Sequence, residues 1–169
     1  MPTLKTTYGT WTQISSSGML DNLFSDSNYL AGRATNLVDN TVAGYDDYMV
    51  ACAVKTDTLG SDSAALLQLW VIPEPALLPS SGLPVSEGAY SFSNSGRRNN
   101  FAVQVGSSPS IAGLGGSIYG CKPVGISQFF GGVCPSKFVL WLVQGIGTLY
   151  PTGSLGGSIW YQGISRTLV

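Results

Sequence analysis

The chain has 169 residues, no histidine, a net charge of −1 and only 10% charged residues. The length suits one domain with a core that stands without disulfide or metal staples. Near-neutral charge excludes a binder that neutralises nucleic-acid phosphates. The absence of histidine removes Ser-His-Asp and Cys-His nucleophilic systems and most zinc ligation. An average soluble domain carries about 25% charged residues. Here Ser, Thr, Asn, Gly and backbone must cover the surface, and uncharged groups cost less to desolvate against a partner. Composition therefore points to a protein that works in contact with others.

The N-terminal part, up to about Gly44, is rich in Ser, Asn, Thr and Asp, with large apolar residues scattered without a clear period. It reads as an arm or edge segment (1–44) in front of a β-sandwich domain (45–169), with Leu20 to Phe24 as one possible helical turn. Trp11, Ile14, Leu20, Leu23 and Phe24 are expected to contact neighbouring subunits, because no local strand or helix period buries them all. The alternative is that they fold back as edge strands under the sandwich. The polar start, Met1-Pro2-Thr3-Leu4-Lys5, lacks a signal-peptide apolar stretch. The longest apolar run, Phe138 to Val143, is far short of the ~20 residues a membrane helix needs. The expectation is a protein made in a cytoplasm and kept there unless a particle carries it out.

From residue 45 on, Gly and Pro punctuate short apolar stretches rich in β-branched and aromatic residues, which predicts an all-β antiparallel sandwich or barrel. Tyr48 to Lys55 alternates but is largely apolar on both faces, so it is expected to be central and covered twice. Ala64 to Ile72 reads the same way, ended by Pro73-Glu74-Pro75. Pro79 to Ala89 reads as loop. Tyr90 and Phe92 share a strand face, as do Phe101, Val103 and Val105. Arg97-Arg98, the only adjacent basic pair, reads as a solvated loop tip or a dock for an acidic neighbour. Phe138 to Gln144 is the best central-strand candidate. Ile159 to Ile164 and Arg166 to Val169 close the fold. Ser107 to Gly120 and Tyr150 to Ser158 share Leu-Gly-Gly-Ser-Ile, read as two tight turns before strands.

Chemistry-bearing residues are sparse. Cys52 reads as a buried hydrophobe, while Cys121 and Cys134 flank a Gly-rich segment and are a possible pair. Among carboxylates, Asp46, Asp47, Glu74 and Glu87 are the pairs a glycosidase would draw on. Adjacent Asp46 and Asp47 point to opposite faces of a strand, so a turn before a strand is the preferred reading. Asp57 and Asp62, with neighbouring hydroxyls, lack calcium-loop spacing. Tyr45, Tyr48, Tyr150, Trp160 and Tyr161 are the aromatics a carbohydrate-binding surface would draw on, and core or subunit contact is the alternative. The sequence gives no catalytic residue, metal site or cofactor site, and the expectation is a non-enzymatic protein.

Two stretches carry a family resemblance. One runs from Gly32-Arg33-Ala34-Thr35 and Asp39-Asn40 through Tyr45-Asp46-Asp47-Tyr48 and Lys55-Thr56-Asp57-Thr58 to Leu69-Trp70-Val71. The other is Pro135-Ser136-Lys137-Phe138 with Leu140-Trp141-Leu142-Val143, then Gly147 through Leu149 and Tyr161-Gln162-Gly163-Ile164. Together they resemble small virion structural proteins of tailed phages, of the capsid decoration (cement) type. The resemblance implies a jelly-roll-like sandwich exposed on a particle. The expectation built on it is a decoration protein that bridges major capsid subunits as a homo-oligomer, dimer or trimer, and the residues themselves point to no cofactor, membrane or nucleic acid. A tail, neck or baseplate protein is the alternative within that class. A carbohydrate-binding or receptor-binding module is the alternative outside it. The sequence departs from the resemblance over Ser95 to Gly120.

Overall fold

A computed structural model describes residues 3–14, 18–55, 66–74, 86–109, 118–146 and 157–169. Strand formation follows the β-branched and aromatic runs. In chain order the elements are β1 (Leu4–Tyr8), β2 (Thr12–Gln13), β3 (Ala31–Ala34), β4 (Val38–Asp39), the short helix α1 (Asn40–Ala43), β5 (Asp47–Lys55), β6 (Leu66–Pro73), β7 (Gly88–Ser91), α2 (Ser95–Phe101), β8 (Val103–Pro109), β9 (Ile118–Gly125), β10 (Lys137–Gln144) and β11 (Gly157–Leu168). They form two antiparallel sheets, β1-β11-β5-β9 with β2 also on β11, and β7-β3-β10-β6-β8 with β4 also on β10. The chain is a β-sandwich.

Strict alternation assigns the two faces of each strand. Between the sheets lie Tyr48, Val50, Cys52 and Val54 of β5, Leu67, Leu69 and Val71 of β6, Phe138, Leu140 and Leu142 of β10, and Ile159 of β11. The other face of β10, Val139, Trp141 and Val143, forms a second core with Trp70, Ile72, Ala34, Phe92 and Ala102. Thus β6 and β10 are covered on both faces, as their sequence predicts. For β5 the expectation of double cover fails. Its second face, Met49, Ala51, Ala53 and Lys55, stays half-exposed.

The second core explains several local choices. Trp141 packs edge-on to Phe92 at 5.1 Å and tilts against Trp70 at 6.3 Å. Gly32 leaves the room it needs, since a Cβ there would sit 2.8 Å from the indole Nε1. Arg97, Arg98 and Phe101 belong to α2, not to a loop tip and a strand as their sequence suggests. The Asn94 side chain caps that helix by accepting from the Arg97 N–H at 2.8 Å. Phe101 packs on the second core from the helix, and the strand begins only at Val103.

The segment before Gly44 is edge in one place and interior in another. β1 and β2 line the edge of their sheet on β11, whereas β3 lies between β7 and β10. Between β3 and β4 the ladder to β10 is carried by Thr35, which is fully buried. Its N–H donates to Leu140 O at 2.8 Å and its hydroxyl accepts from Leu140 N at 3.0 Å. Residues 18–22 form turns rather than a helix, with Gly18 and Asn22 at positive φ. This stretch is fastened by the buried Gln144, whose Nε2 donates to Leu23 O at 2.9 Å and whose Oε1 accepts from Ile146 N at 2.7 Å. Asp26 then ties the return into β3, its carboxylate accepting from the N–H groups of Asn28 (2.9 Å), Leu30 (2.7 Å) and Ala31 (2.7 Å).

Cys52 and Cys121 face each other across β5 and β9, both buried, and Cys134 is half-buried with its thiol 3.6 Å from Pro135 O. All three are free thiols, so Cys121 and Cys134 do not pair. The end of the 56–65 connection that holds Asp57 and Asp62, the turns of the two Leu-Gly-Gly-Ser-Ile strings, and most of Pro79 to Ala89 lie outside the described residues.

Two measurements test this account. Thr35→Val keeps the shape but leaves the buried Leu140 N–H without its acceptor, so urea unfolding should show a loss of about 1–3 kcal/mol. For Asp26, burial alone would raise the carboxyl, but the amides of Asn28, Leu30 and Ala31 together hold it below its ordinary value. A carboxyl depressed on folding stabilises the fold above its unfolded value of about 3.9 and loses that contribution as pH falls through the lower folded value. Stability of Asp26→Asn should therefore fall less steeply than that of the parent between about pH 4.5 and pH 2.

Candidate functional site

The contact residues expected from sequence separate into three groups. Leu20 and Leu23 are 1% and 6% exposed and sit in the chain's own core, with Ile14 packed partly against it. They are therefore not available to a neighbour. They do fold back onto the sandwich, but as turns and irregular chain rather than as edge strands, with Gln144 and Asp26 holding the 18–31 stretch on the end of β10. Trp11, at 39%, and Phe24, at 70%, remain at the surface. Arg98 is committed internally. Its guanidinium stacks 4.5 Å above the Trp70 ring, Nη1 donates to Tyr29 O at 3.0 Å, and desolvation lowers its pKa. Arg97 is exposed, 6.0 Å from the Phe101 ring centroid.

The two outer faces of the sandwich differ. That of the β10 sheet is closed by α2, Phe92 and Tyr90. Over the outer face of β9-β5-β11, no helix or strand is laid among the described residues. This face presents Met49, Ala51, Ala53, Trp160, Pro123 and Ile118, the last 75% exposed, with Lys55, Lys122 and Arg166 as exposed or half-exposed charges and Asp47 buried at its end. Two adjoining depressions mark it. One, of about 320 Å³, is lined by Trp11, Ala51, Pro123 and Trp160. The other, of about 240 Å³, runs on from Trp160 over Ala53 and Gly157 to Ile118.

Local structure shapes the first depression. The β5–β9 register passes from Val50↔Val124 to Cys52↔Cys121, so Ala51 stands against both Lys122 and Pro123. This is a β-bulge, a place where an edge strand bends and a residue without an N–H is tolerated. Trp160 sits opposite both Ala51 and Gln13, and the β2–β11 pairing brings Trp11, next to β2, onto the same patch. Trp160 was visible as a candidate aromatic in the sequence. Pro123 was not, because β9 lies inside what reads as a Gly-rich stretch.

At one end of the sandwich a polar cleft of about 570 Å³ is lined by Thr10, Gln13, Asn36, Asp39, Tyr45 and Tyr161 among others. Tyr48 forms its floor, edge-on to Tyr45 at 5.4 Å and to Tyr161 at 5.5 Å. Burial, reinforced by Tyr161, Cys134 and Tyr45, pushes the Tyr48 phenol up to about 12. Asp39 is occupied by Thr41 and by the Lys137 ammonium at 3.5 Å.

The carboxylates singled out in the sequence do not converge. Asp47 is buried, accepting from Ser127 N at 2.9 Å and from the Ser127 hydroxyl at 2.7 Å, and so anchors the turn after β9. Asp46 accepts from Arg166 N on the surface, and Glu74 lies near the Ser136 hydroxyl. Tyr150 lies outside the described residues. Comparison with protein-family models and with curated proteins finds no match.

The distinction between the two arginines is measurable. Arg98→Ala removes a stacked, partly desolvated cation and should cost about 1–2 kcal/mol in denaturant titration. Arg97→Ala should stay within about 0.5 kcal/mol of the parent, as surface changes do.

Proposed function

We propose that this chain is a non-enzymatic structural protein of a tailed-phage particle, of the capsid decoration type, which seats the open face of its β1-β11-β5-β9 sheet on major capsid protein. The observation that carries this reading is the asymmetry of the sandwich. One outer face is closed by the chain itself, and over the other the described residues lay no covering element, so that it presents a charge-poor surface with two tryptophans. Apolar surface of that kind marks an interaction site, and aromatic anchors in shallow pockets supply most of an interface's energy. An occupant with few charges of its own suits it, because neither side then loses ion solvation on contact. The strand order supports a jelly-roll-like architecture. Leaving aside β2, β4 and β7, the chain alternates between β1-β11-β5-β9 and β3-β10-β6-β8, with β6 and β8 neighbours in one sheet, the interleaving of two four-stranded sheets typical of capsid and lectin domains. Homo-oligomerisation, localisation to the virion and the absence of catalysis belong to the same proposal.

A carbohydrate-binding module is the second reading, favoured by Trp11 and Trp160 flanking Ala51, an arrangement on which a sugar ring can stack. Purified particles lacking the protein decide between them. Wild-type chain added back should decorate them, and the double variant Trp11→Ser, Trp160→Ser should keep its sandwich circular dichroism while binding at least about tenfold more weakly. Undiminished decoration by the double variant would sink the proposed face. Binding of neutral oligosaccharides instead of particles, lost in the same variant, would favour the second reading.

A further inference from the structure

A third cleft, of about 480 Å³, lies between the 22–26 stretch and the β3–β7 edge of the other sheet, away from the face proposed above. Its walls include Asn22, Phe24, Asp26, Arg33, Tyr90 and Ser91. Arg33 stands on β3 opposite Leu142 and Ala89, and its Nε is buried with no hydrogen-bond partner. That nitrogen is closed to solvent, so a group in the cleft meets the half-buried guanidinium at its other nitrogens, and among the described residues no hydrogen bond or ion pair is made to them. Asp26 lines the same cleft, yet no ion pair joins it to Arg33. Its carboxylate instead keeps its charge and accepts from the three backbone amides. A carboxylate has about four acceptor sites, so one remains for a donor from outside.

The cleft thus presents a guanidinium that requires an acceptor and, on a neighbouring wall, a carboxylate with room for a donor. A simple anion answers the first and brings no donor to the second. A neutral sugar answers the second and leaves the guanidinium unpaired. We propose that this cleft binds a uronic-acid-type sugar residue, with the ligand carboxylate on Arg33, ring hydroxyls on Asp26, Asn22 and Ser91, and the ring lying against Tyr90 and the exposed Phe24. The size suits one such residue, at the lower end of the range for small-molecule sites. Aromatic and planar polar side chains together are what a sugar ring needs, an apolar face to stack on and fixed groups for its hydroxyls. The proposal is independent of the particle-binding reading.

The test is titration of the full chain with glucuronic acid, glucose and acetate, followed by amide shifts in two-dimensional NMR. Glucuronic acid should give saturable shifts confined to residues 22–33 and 88–92. Glucose, which lacks the carboxylate and so one charge-assisted contact, and acetate, which lacks the ring and its hydroxyls, should each bind roughly tenfold more weakly or worse. Arg33→Met should weaken glucuronate binding by about the same factor. Arg33→Lys, which keeps the charge but loses the planar fork, should fall between the two and serves if the methionine variant does not fold. No saturation by roughly 10 mM glucuronate, beyond the weak millimolar range, overturns the proposal. So does acetate binding as well as glucuronate, or binding that both Arg33 variants leave unchanged.

Discussion

The strand that must be buried twice organises this molecule. β10 reads Phe-Val-Leu-Trp-Leu-Val, and no arrangement of a single sheet hides both of its faces. Each large side chain left in water would forgo about 1.5–3 kcal/mol. One face is therefore met by the opposite sheet. The other is met by material drawn from elsewhere in the chain, namely Phe92, the end of α2, and Tyr29 and Leu30 from the N-terminal segment. Trp141 sets the detail of that second layer. Gly32 yields to it, Trp70 tilts against it, and Arg98 closes over Trp70. Two sides of one cation are used, since its guanidinium plane stacks while its N–H reaches Tyr29 O, and that pins a seven-residue helix that has no apolar period of its own.

Among the described residues, one outer face receives cover and the other does not. The β9-β5-β11 face is lined by alanines, glycine, serine and proline between its two tryptophans, too shallow to attract a helix and too apolar to be indifferent to contact. The bulge at Ala51 keeps this surface from being a flat, extendable sheet, and Pro123 on the edge strand β9 removes one backbone donor that a stray strand would need. Low charge across the whole chain then has a local meaning: the surface available for contact has few ions to strip of water.

Alternation made β5, β6 and β10 legible in the sequence, because a period of two and β-branched composition are properties of the residues themselves. Which faces would be covered was legible only where both were rich in large side chains. β5 misled because alanine and methionine count as apolar without demanding burial. β1 is a run of Thr and Lys whose strand state rests on pairing with β11, so nothing local announces it. β9 hides behind Gly120 and Pro123. In α2 the signal was the Asn94 cap alone, and the helix depends on Trp70, distant in sequence. Leu20 and Leu23 looked unplaced because their partners are the end of β10 and the inner core, which no local period encodes. The cleft at Arg33 was illegible for the same reason: its polar groups come from three separate stretches.

The facing thiols of Cys52 and Cys121 give the molecule a built-in clock. Both sulfurs lie buried inside the sandwich, where the hydrogen bond to Cys121, with burial, pushes the Cys52 thiol up and the same bond draws the Cys121 thiol down, and it is burial that keeps both from reagents while β5 and β9 are joined. An alkylating reagent can reach them only after that pair of strands parts. The pace of alkylation at Cys52 and Cys121, read apart from that at the half-buried Cys134, therefore counts openings of one sheet edge, the edge that carries Pro123 and Ile118. Whatever docks there and clamps β9 to β5 slows the clock, and the thiols report that engagement from inside, without a label on the surface being engaged.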